Sequence, residues 1–303
     1  MGTPLAAVPV LAALREVADV ALVVTRPDRP RGRSQHPEAP PVKDAAVEWN
    51  LAVSQPRSGE DLFDAVREVS PDVVVVAAYG RLIKPDLLEL PQYGFLNVHY
   101  SLLPRWRGAS PVVRAILAGD QETGVSLIKM DDGLDTGPVI ATAAIPIEPT
   151  TTAGMLTERL AIAGAALLVA ELPRYLAGEA VPVGQTEDLA TAAAKVTTDE
   201  AHIDPIRHSA EAVDRAVRAF NPKPGAWCTV DEGRIKIWKT AASTGASTAV
   251  AVNPGEARVA DGRVVLGTRT GPIELLRVQP AGKPEMDATA WMNGRRGEPA
   301  QLR

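Results

Sequence analysis

Runs of β-branched residues alternate with amphipathic stretches along the first hundred residues. The runs 20–25 (VALVVT) and 72–78 (DVVVVAA) are continuous and apolar, which predicts strands that are buried on both faces. Apolar positions recur at helical spacing over 4–15, and Ser58 with Asp61 forms a capping-box pattern before a second amphipathic stretch. The pattern therefore predicts strands and helices in alternation.

Such alternation is typical of an α/β domain with a parallel sheet and helices on both faces. In these sheets, ligands bind beyond the carboxyl ends of the strands. A third strand is predicted over 94–98 (GFLNV), and it runs directly into polar residues. The end of this strand is therefore where we first expect chemistry.

The pattern changes in the second half of the chain. Two further strands flank a turn at 131–137, and a long Ala/Leu-rich helix is predicted over 152–177. Beyond it, short alternating stretches punctuated by Gly, Pro, Asn and Asp predict a small β-barrel. We expect an α/β domain over 1–180, a polar linker over 181–203 and the barrel domain over 204–303.

Composition and charge narrow the class of protein. The chain has 303 residues and a formal net charge of -5, which argues against a uniformly basic nucleic-acid binder but not against a local basic patch. Cys228 is the single cysteine, so no disulfide framework is expected. No leader pattern and no apolar run long enough for a bilayer stand out, which predicts a cytoplasmic protein.

Asn97 and His99 are the first candidates for chemistry. Their i, i+2 spacing at a strand end places both side chains on one side of the strand. An amide donor beside an imidazole can polarise a carbonyl and move a proton, and acyl transfer requires both. A histidine that is simply satisfied within the core is the alternative.

Asp135 is the second candidate. It lies in the turn DDGLDTG, whose glycines allow a tight bend that could present a carboxylate to the sheet edge. Asp and Gly are common in hairpin turns, so the turn alone is weak evidence. The spacing is not that of a calcium loop, and we expect no metal.

A loop broken by prolines carries clustered positive charge. Arginines in this setting suit phosphate contacts, although a solvated loop is equally compatible with the charge alone. The residues concerned are Arg26, Arg29, Arg31, Arg33 and Lys43. Glycine-rich dinucleotide and nucleoside-triphosphate motifs are absent from the sequence, as is a G-x-S-x-G elbow.

These motifs together resemble one known family. NVHYSLLPRWRGASP, GDQETGV and GLDTG resemble the formyltetrahydrofolate-dependent formyltransferases, and RPDRPRGR, PVK and VVAAYGRLI match the amino-terminal domain of the same family. AFNPKPGAW, IKIWK and LRVQPAGKPEM look like its methionyl-tRNA branch. The resemblance covers almost the whole chain, in order.

The resemblance implies a fold, an activity and a set of site residues. It implies a Rossmann-like formyltransferase domain followed by an OB-like barrel, in a monomer without metal. The implied reaction moves the formyl group of 10-formyltetrahydrofolate to the amino group of methionyl-initiator-tRNA, for translation initiation. Asn97, His99 and Asp135 would be catalytic. Folate would contact Tyr79, Gly80, Leu82, Ser101, Leu102, Leu103 and Pro104. The Arg26–Lys43 loop and the barrel would bind tRNA.

Two departures from the family pattern bear on this expectation. The family opens with a short apolar strand, whereas here Met1 stands immediately before Gly2-Thr3-Pro4. Our hypothesis is a misassigned start codon. Tyr100 replaces the small residue that usually follows the histidine, and it either narrows the pocket or packs on its wall.

Three alternatives to this function remain open. A sugar-amine N-formyltransferase shares the Asn-His-Asp core, although the Arg-rich loop and the AFNPKPGAW segment favour tRNA. A folate hydrolase usually carries a regulatory domain that we do not see. An RNA-binding protein without activity is disfavoured because the three candidate catalytic residues are intact.

Overall fold

The computed structural model describes residues 1–30, 36–231, 233–242, 252–296 and 298–303. Arg31 and Arg33 lie outside the described residues. The chain forms two compact units. The first comprises Met1–Pro111, Glu122–Pro146 and Thr157–Ala194, and the second comprises Val112–Gln121, Ile147–Leu156 and Lys195–Arg303.

The first unit is built on parallel strand pairs, as the alternating pattern predicted. Its strands are β1 Val23–Val24, β2 Arg29–Pro30, β3 Pro37–Glu38, β4 Val53–Ser54, β5 Val74–Val76, β6 Phe95–His99, β7 Glu122–Lys129 and β8 Val139–Pro146. β1 pairs with β4 and β5 with β6, both in parallel. β7 and β8 continue the second sheet antiparallel. β2 and β3 form a short hairpin within the segment that the sequence predicted as loop.

The first residues of the chain lie between the two parallel pairs. The Gly2 N–H donates to the Val24 carbonyl at 3.0 Å, and the Ala77 N–H donates to the Met1 carbonyl at 2.9 Å. Gly2 thus links strand β1 to the residue that follows β5. Burial lowers the pKa of the Met1 ammonium from 8.0 to about 5, because a charge is costly away from water.

The helices named before the barrel are α1 Val8–Val17, α2 Pro41–Glu48, α3 Gly59–Val69, α4 Pro85–Leu88, α5 Pro111–Ala118 and α6 Ala153–Leu176. α1, α3 and α6 overlap the segments that the sequence predicted as helical, whereas α2, α4 and α5 were not predicted. The capping box at α3 is confirmed: the Asp61 N–H donates to Ser58 Oγ at 3.0 Å, and the Ser58 N–H returns a bond to Asp61 Oδ2 at 2.9 Å. Leu62 is buried on its inner face, which contributes roughly 1.5–3 kcal/mol.

Helix α6 meets the length and hydropathy criteria for a membrane span, contrary to the expectation from the sequence that no such segment is present. It has 24 residues and a mean hydropathy of 1.5 over its most apolar window. One side, with Leu160, Leu168 and Leu172, is fully buried, whereas Ile162 on another side is 66% exposed. Burial of this leucine row accounts for part of the apolar composition of α6, and 33% of its most apolar window is buried.

The second unit is an antiparallel barrel, as predicted. Its named elements beyond α5 are α7 Ala210–Ala219, β9 Trp227–Val230, β10 Gly233–Ala242, β11 Glu256–Ala260, β12 Arg263–Thr268, β13 Gly271–Pro280, β14 Met286–Asp287, α8 Ala288–Gly294 and β15 Ala300–Gln301. The strand order is β15-β11-β12-β13-β10-β9. Reciprocal backbone bonds between Thr229 and Arg303, at 2.6 and 2.9 Å, bring the two end strands together. Ile235, Leu266 and Val278 lie in the interior.

Candidate active site

Asn97 and His99 lie on the last residues of β6, where the sequence predicted them. β6 pairs with β5 on one side and with β7 on the other, so its backbone is fixed from both edges. In the register with β7, Asn97 lies opposite Ile128 and His99 opposite Ser126. The i, i+2 spacing therefore puts the two side chains on one side of a rigid strand.

Asp135 lies in the turn that joins β7 to β8. Its φ of 55° is left-handed, and the glycine two residues later is required sterically. A Cβ added at Gly137 would lie 1.9 Å from the Lys129 carbonyl oxygen. The turn is therefore held tightly against the end of β7, where Lys129 pairs with Leu96 of β6.

The three candidate side chains converge on one carboxylate oxygen. Asn97 Nδ2 donates to Asp135 Oδ1 at 3.2 Å, and His99 Nδ1 lies 3.6 Å from the same atom. The other oxygen, Oδ2, accepts a bond of 2.9 Å from the Gly108 N–H. Side-chain exposures of 6% for His99 and 12% for Asp135 show that water has little access, which strengthens electrostatic interactions among these groups.

The second ring nitrogen of His99 identifies its tautomer. Nε2 lies 2.9 Å from the carbonyl oxygen of Trp106. Because a carbonyl only accepts, Nε2 carries a proton. Nδ1 is therefore the nitrogen that can gain or lose a proton, and it faces Asp135. Imidazoles oriented in this way through one nitrogen act as acid or base through the other.

This arrangement suits acyl transfer. A carbonyl oxygen placed beside Asp135 Oδ1, within reach of both Asn97 Nδ2 and His99 Nδ1, would meet two donors, the Asn97 amide and protonated His99 Nδ1. Donors fixed in advance of the reaction stabilise the negative charge that develops on such an oxygen. Among the described residues, His, Cys, Asp and Glu side chains form no group of three that could share a metal ion.

The residues predicted to contact folate fall into two groups. The 101–104 turn is fixed: Ser101 Oγ donates to the Arg105 carbonyl at 2.6 Å, and Ser126 Oγ donates to the Ser101 carbonyl at 2.8 Å. Leu103 is buried within it, whereas Leu102 is half-buried. Tyr79 is also buried, and burial raises the pKa of its phenol. In contrast, Gly80 and Leu82 are exposed.

Two of the basic residues predicted to contact tRNA already have partners within the unit. Arg26 Nη1 donates to the Gly80 carbonyl at 2.6 Å, and Lys43 Nζ lies 2.7 Å from Asp28 Oδ2. This hydrogen bond from Lys43 lowers the pKa of Asp28. Arg29 is exposed on β2.

One cavity is lined both by residues predicted to contact tRNA and by residues predicted to contact folate. Its volume is about 360 Å³, and its lining includes Arg26 and Arg29 from the basic loop as well as Tyr79 and Gly80 from the predicted folate set. Thr3 also lines it, and Thr3 Oγ1 donates to the Tyr79 carbonyl at 2.9 Å. No pattern in the sequence indicated this proximity.

Tyr100, the unusual residue after His99, packs inside the unit. Its hydroxyl donates to the Ala6 carbonyl at 2.8 Å, and burial raises the pKa of Tyr100 to about 12. The ring is 9% exposed. The structure therefore agrees with the expectation that Tyr100 packs against its surroundings.

Several residues around the cluster were missed from the sequence. They are Trp106 and Gly108, which contact His99 and Asp135 through backbone atoms, and Arg107 and Gln185, which join the linker to the turn around Asp135. A contact made by a backbone atom does not depend on the side chain, so the sequence gives no signal for it. Gly108 is a partial exception, because its φ of 125° favours glycine. Gln185 lies in a stretch without any periodicity.

The fold and the cluster are those of an α/β enzyme that acts at a carbonyl carbon. The family model described as formyl transferase matches residues 2–172, and the model of the formyl transferase C-terminal domain matches residues 195–296. The chain belongs to the formyl transferase family, which confirms the resemblance seen in the sequence.

Relatives in sequence carry a more specific name. The chain is 47% identical to a methionyl-tRNA formyltransferase of Halorhodospira halophila, over 99% of this chain and 97% of that protein. It is 42% identical to a methionyl-tRNA formyltransferase of Salinispora tropica, over 97% and 95% of the two chains.

Solved structures share the fold at low identity. A sugar 3N-formyl transferase, WlaRD, covers 93% of this chain and 97% of its own at 17% identity, with a TM-score of 0.66. The methionyl-tRNA formyltransferase from Clostridium thermocellum covers 75% of this chain and 87% of its own at 19% identity, with a TM-score of 0.51. At these identities, both similarities show a shared fold only.

Proposed function

We propose that this chain transfers the formyl group of 10-formyltetrahydrofolate to the amino group of methionyl-initiator-tRNA, as a cytoplasmic monomer. The observation that carries the proposal is 47% identity over 99% of the chain to a protein named methionyl-tRNA formyltransferase. The cluster of Asn97, His99 and Asp135 supplies the chemistry that such a transfer needs.

The geometry supports the following reaction. The methionyl amine nitrogen forms a bond to the formyl carbon, and the bond from that carbon to N10 of the folate breaks. Asn97 Nδ2 and protonated His99 Nδ1 hold the oxygen of the tetrahedral intermediate. Asp135 orients His99 and assists loss of the amine proton. A proton is returned to N10, so the products are N-formylmethionyl-tRNA and tetrahydrofolate.

The substrate contacts are proposed from the family resemblance. The fixed 101–104 turn, with Tyr79, Gly80 and Leu82, would hold the folate. Arg29 on the exposed hairpin, with Arg26, Lys43 and the sequence-predicted Arg31 and Arg33, would contact the tRNA phosphates. The barrel would hold a further part of the tRNA.

A direct assay separates this function from the main alternative. The chain is given 10-formyltetrahydrofolate with either charged initiator tRNA or a panel of nucleotide-linked amino sugars. We expect formylation of the tRNA and not of the sugars. Formylation of an amino sugar with no reaction on the tRNA would overturn the proposal.

A further inference from the structure

The segment 181–194, predicted from the sequence as part of a linker, is bonded along the loops that form the candidate site. Val183 and Val139 exchange backbone hydrogen bonds of 2.8 Å in both directions. Further along, the Arg107 N–H donates to the Thr191 carbonyl at 2.8 Å, and the Ala193 N–H donates to the Arg107 carbonyl at 2.6 Å. Both ends of the segment are therefore fixed to the catalytic unit.

Gln185 lies between these two attachments, and its amide bridges the turn that carries Asp135. Gln185 Nε2 donates to the carbonyl oxygens of Asp135 and Gly137, each at 2.8 Å. Its Oε1 accepts a bond of 2.9 Å from Arg107 Nε. Both amide protons and the amide oxygen are thus used, so the orientation of this side chain is determined.

Arg107 is in turn held by Glu187. Its two terminal nitrogens each lie 2.8 Å from a carboxylate oxygen of Glu187, in a bidentate pair. These two hydrogen bonds, donated by Arg107 and accepted by Glu187, lower the pKa of Glu187 and raise the pKa of Arg107. A planar guanidinium bound in this way presents its Nε–H in one direction, towards Gln185.

The turn needs such support. A left-handed φ is uncommon at residues other than glycine, although Asp adopts it more often than most, and the surrounding contacts decide whether it persists. Asp135 has this conformation. In this conformation its carboxylate reaches Asn97, His99 and the Gly108 N–H, while the carbonyl oxygens of residues 135 and 137 accept from Gln185.

We propose that Gln185 is a positioning residue for Asp135: its amide fixes the 135–137 turn so that the carboxylate faces His99 and Asn97. The inference rests on the proposed function, since it gives Asp135 a part in formyl transfer. Gln185 itself touches no reacting atom in this mechanism. Its effect passes entirely through the carboxylate of Asp135.

The variant that tests this is Gln185→Leu, which keeps the approximate size and removes both donors. A misplacement of a catalytic group by about 1 Å can lower turnover by about 10²-fold, and we expect kcat to fall on this scale with KM for the formyl donor unchanged. The matched control is Gln121→Leu, which removes a comparable bond from a side-chain amide to the Gly119 carbonyl. It should leave kcat unchanged.

A double-mutant cycle with Asp135→Asn distinguishes positioning from a merely structural role. Single-turnover rates are measured with the enzyme in excess. We expect Gln185→Leu to slow the parent chain strongly and the Asp135→Asn chain much less, since residues that act through one another are not additive. Equal factors in both chains, a raised KM with unchanged kcat, or no loss at all would overturn the proposal. An unmutated chain that does not formylate charged tRNA would instead refute the proposed function.

Discussion

The backbone N–H of Gly108 donates to Asp135 Oδ2 at 2.9 Å, while Oδ1 of the same carboxylate faces Asn97 and His99. One carboxylate therefore joins the loop after β6 to the end of β6 itself. We expect this backbone donor to help hold Asp135 where its other oxygen faces His99. The site should therefore be sensitive to changes in the loop backbone as well as in the three side chains.

Replacing Gly108 should damage the site through the backbone. An added Cβ would lie 2.7 Å from the Ala193 carbonyl oxygen, and the φ of 125° is unfavourable for alanine. We expect Gly108→Ala to lower kcat by at least about tenfold, because the donor to Asp135 moves. Gly178→Ala is the control, since Gly178 also has a positive φ but open space around it. Equal kcat values for the two variants would refute this explanation.

Loss of the imidazole should be the most damaging single change in the cluster. His99→Ala removes the group that can exchange a proton through Nδ1, and we expect kcat to fall by about 10²–10⁴-fold. Steady-state formylation of charged tRNA measures it. His208→Ala, in the second unit, is the control and should retain turnover. Full activity in His99→Ala would exclude acid–base catalysis by this residue.

Asn97→Ala should lower kcat by about 10²–10³-fold, as expected for loss of one donor to a developing oxyanion. The effect should appear in kcat rather than in KM, because the amide acts on charge that exists only in the transition state. A variant with normal kcat and a raised KM for the formyl donor would show instead that Asn97 only binds the ground state.

The arginine-rich segment predicted to contact tRNA should act through salt-dependent contacts. Replacing Arg29, Arg31 and Arg33 with Ala should raise KM for charged tRNA and reduce the slope of log affinity against log salt by about 0.7–0.9 for each phosphate that is no longer neutralised. KM for the formyl donor should not change. Arg67→Ala, which removes a surface arginine paired with Asp64, is the control. An unchanged slope in the triple variant would exclude this loop from phosphate binding.

In a chain that starts at Met1, the buried ammonium should make stability depend on pH. The folded pKa is about 5 and the unfolded value is 8.0, so the unfolded chain binds the proton first as pH falls. The free energy of unfolding is therefore highest above pH 8, and it decreases by roughly 4 kcal/mol as the pH falls towards 5. Denaturant unfolding at several pH values measures it. The same chain with an acetylated amino terminus should lack this component, and identical profiles would contradict the assignment.

Local signals in the sequence were sufficient for much of the fold. The Ser58–Asp61 capping pattern predicted the start of α3, and the alternating stretch at 227–230 coincides with β9. Asn97 and His99 were predicted as neighbours because their relationship is a property of one strand. The hairpin of β2 and β3 and the strand β15 were missed, since strands of two residues leave no periodic pattern. Helix α8, with seven residues, was missed as well.

Long-range relationships were harder to predict. Asp135 was selected by its turn and by family resemblance, but its contact with Asn97 depends on the β6–β7 register, which places Asn97 opposite Ile128. Gln185 gave no signal because a bond between its amide and a carbonyl 50 residues earlier reflects tertiary packing. The linker composition even suggested that this segment would lie apart from the site.

The central claim is that Asn97, His99 and Asp135 surround one formyl group. The most direct measurement is a crystal structure with a non-transferable analogue of 10-formyltetrahydrofolate in which carbon replaces N10. We predict the formyl oxygen at about 3 Å from both Asn97 Nδ2 and His99 Nδ1, with the formyl carbon open on the side of Asp135. A bound analogue whose formyl group lies beyond hydrogen-bonding distance of all three side chains would contradict this mechanism.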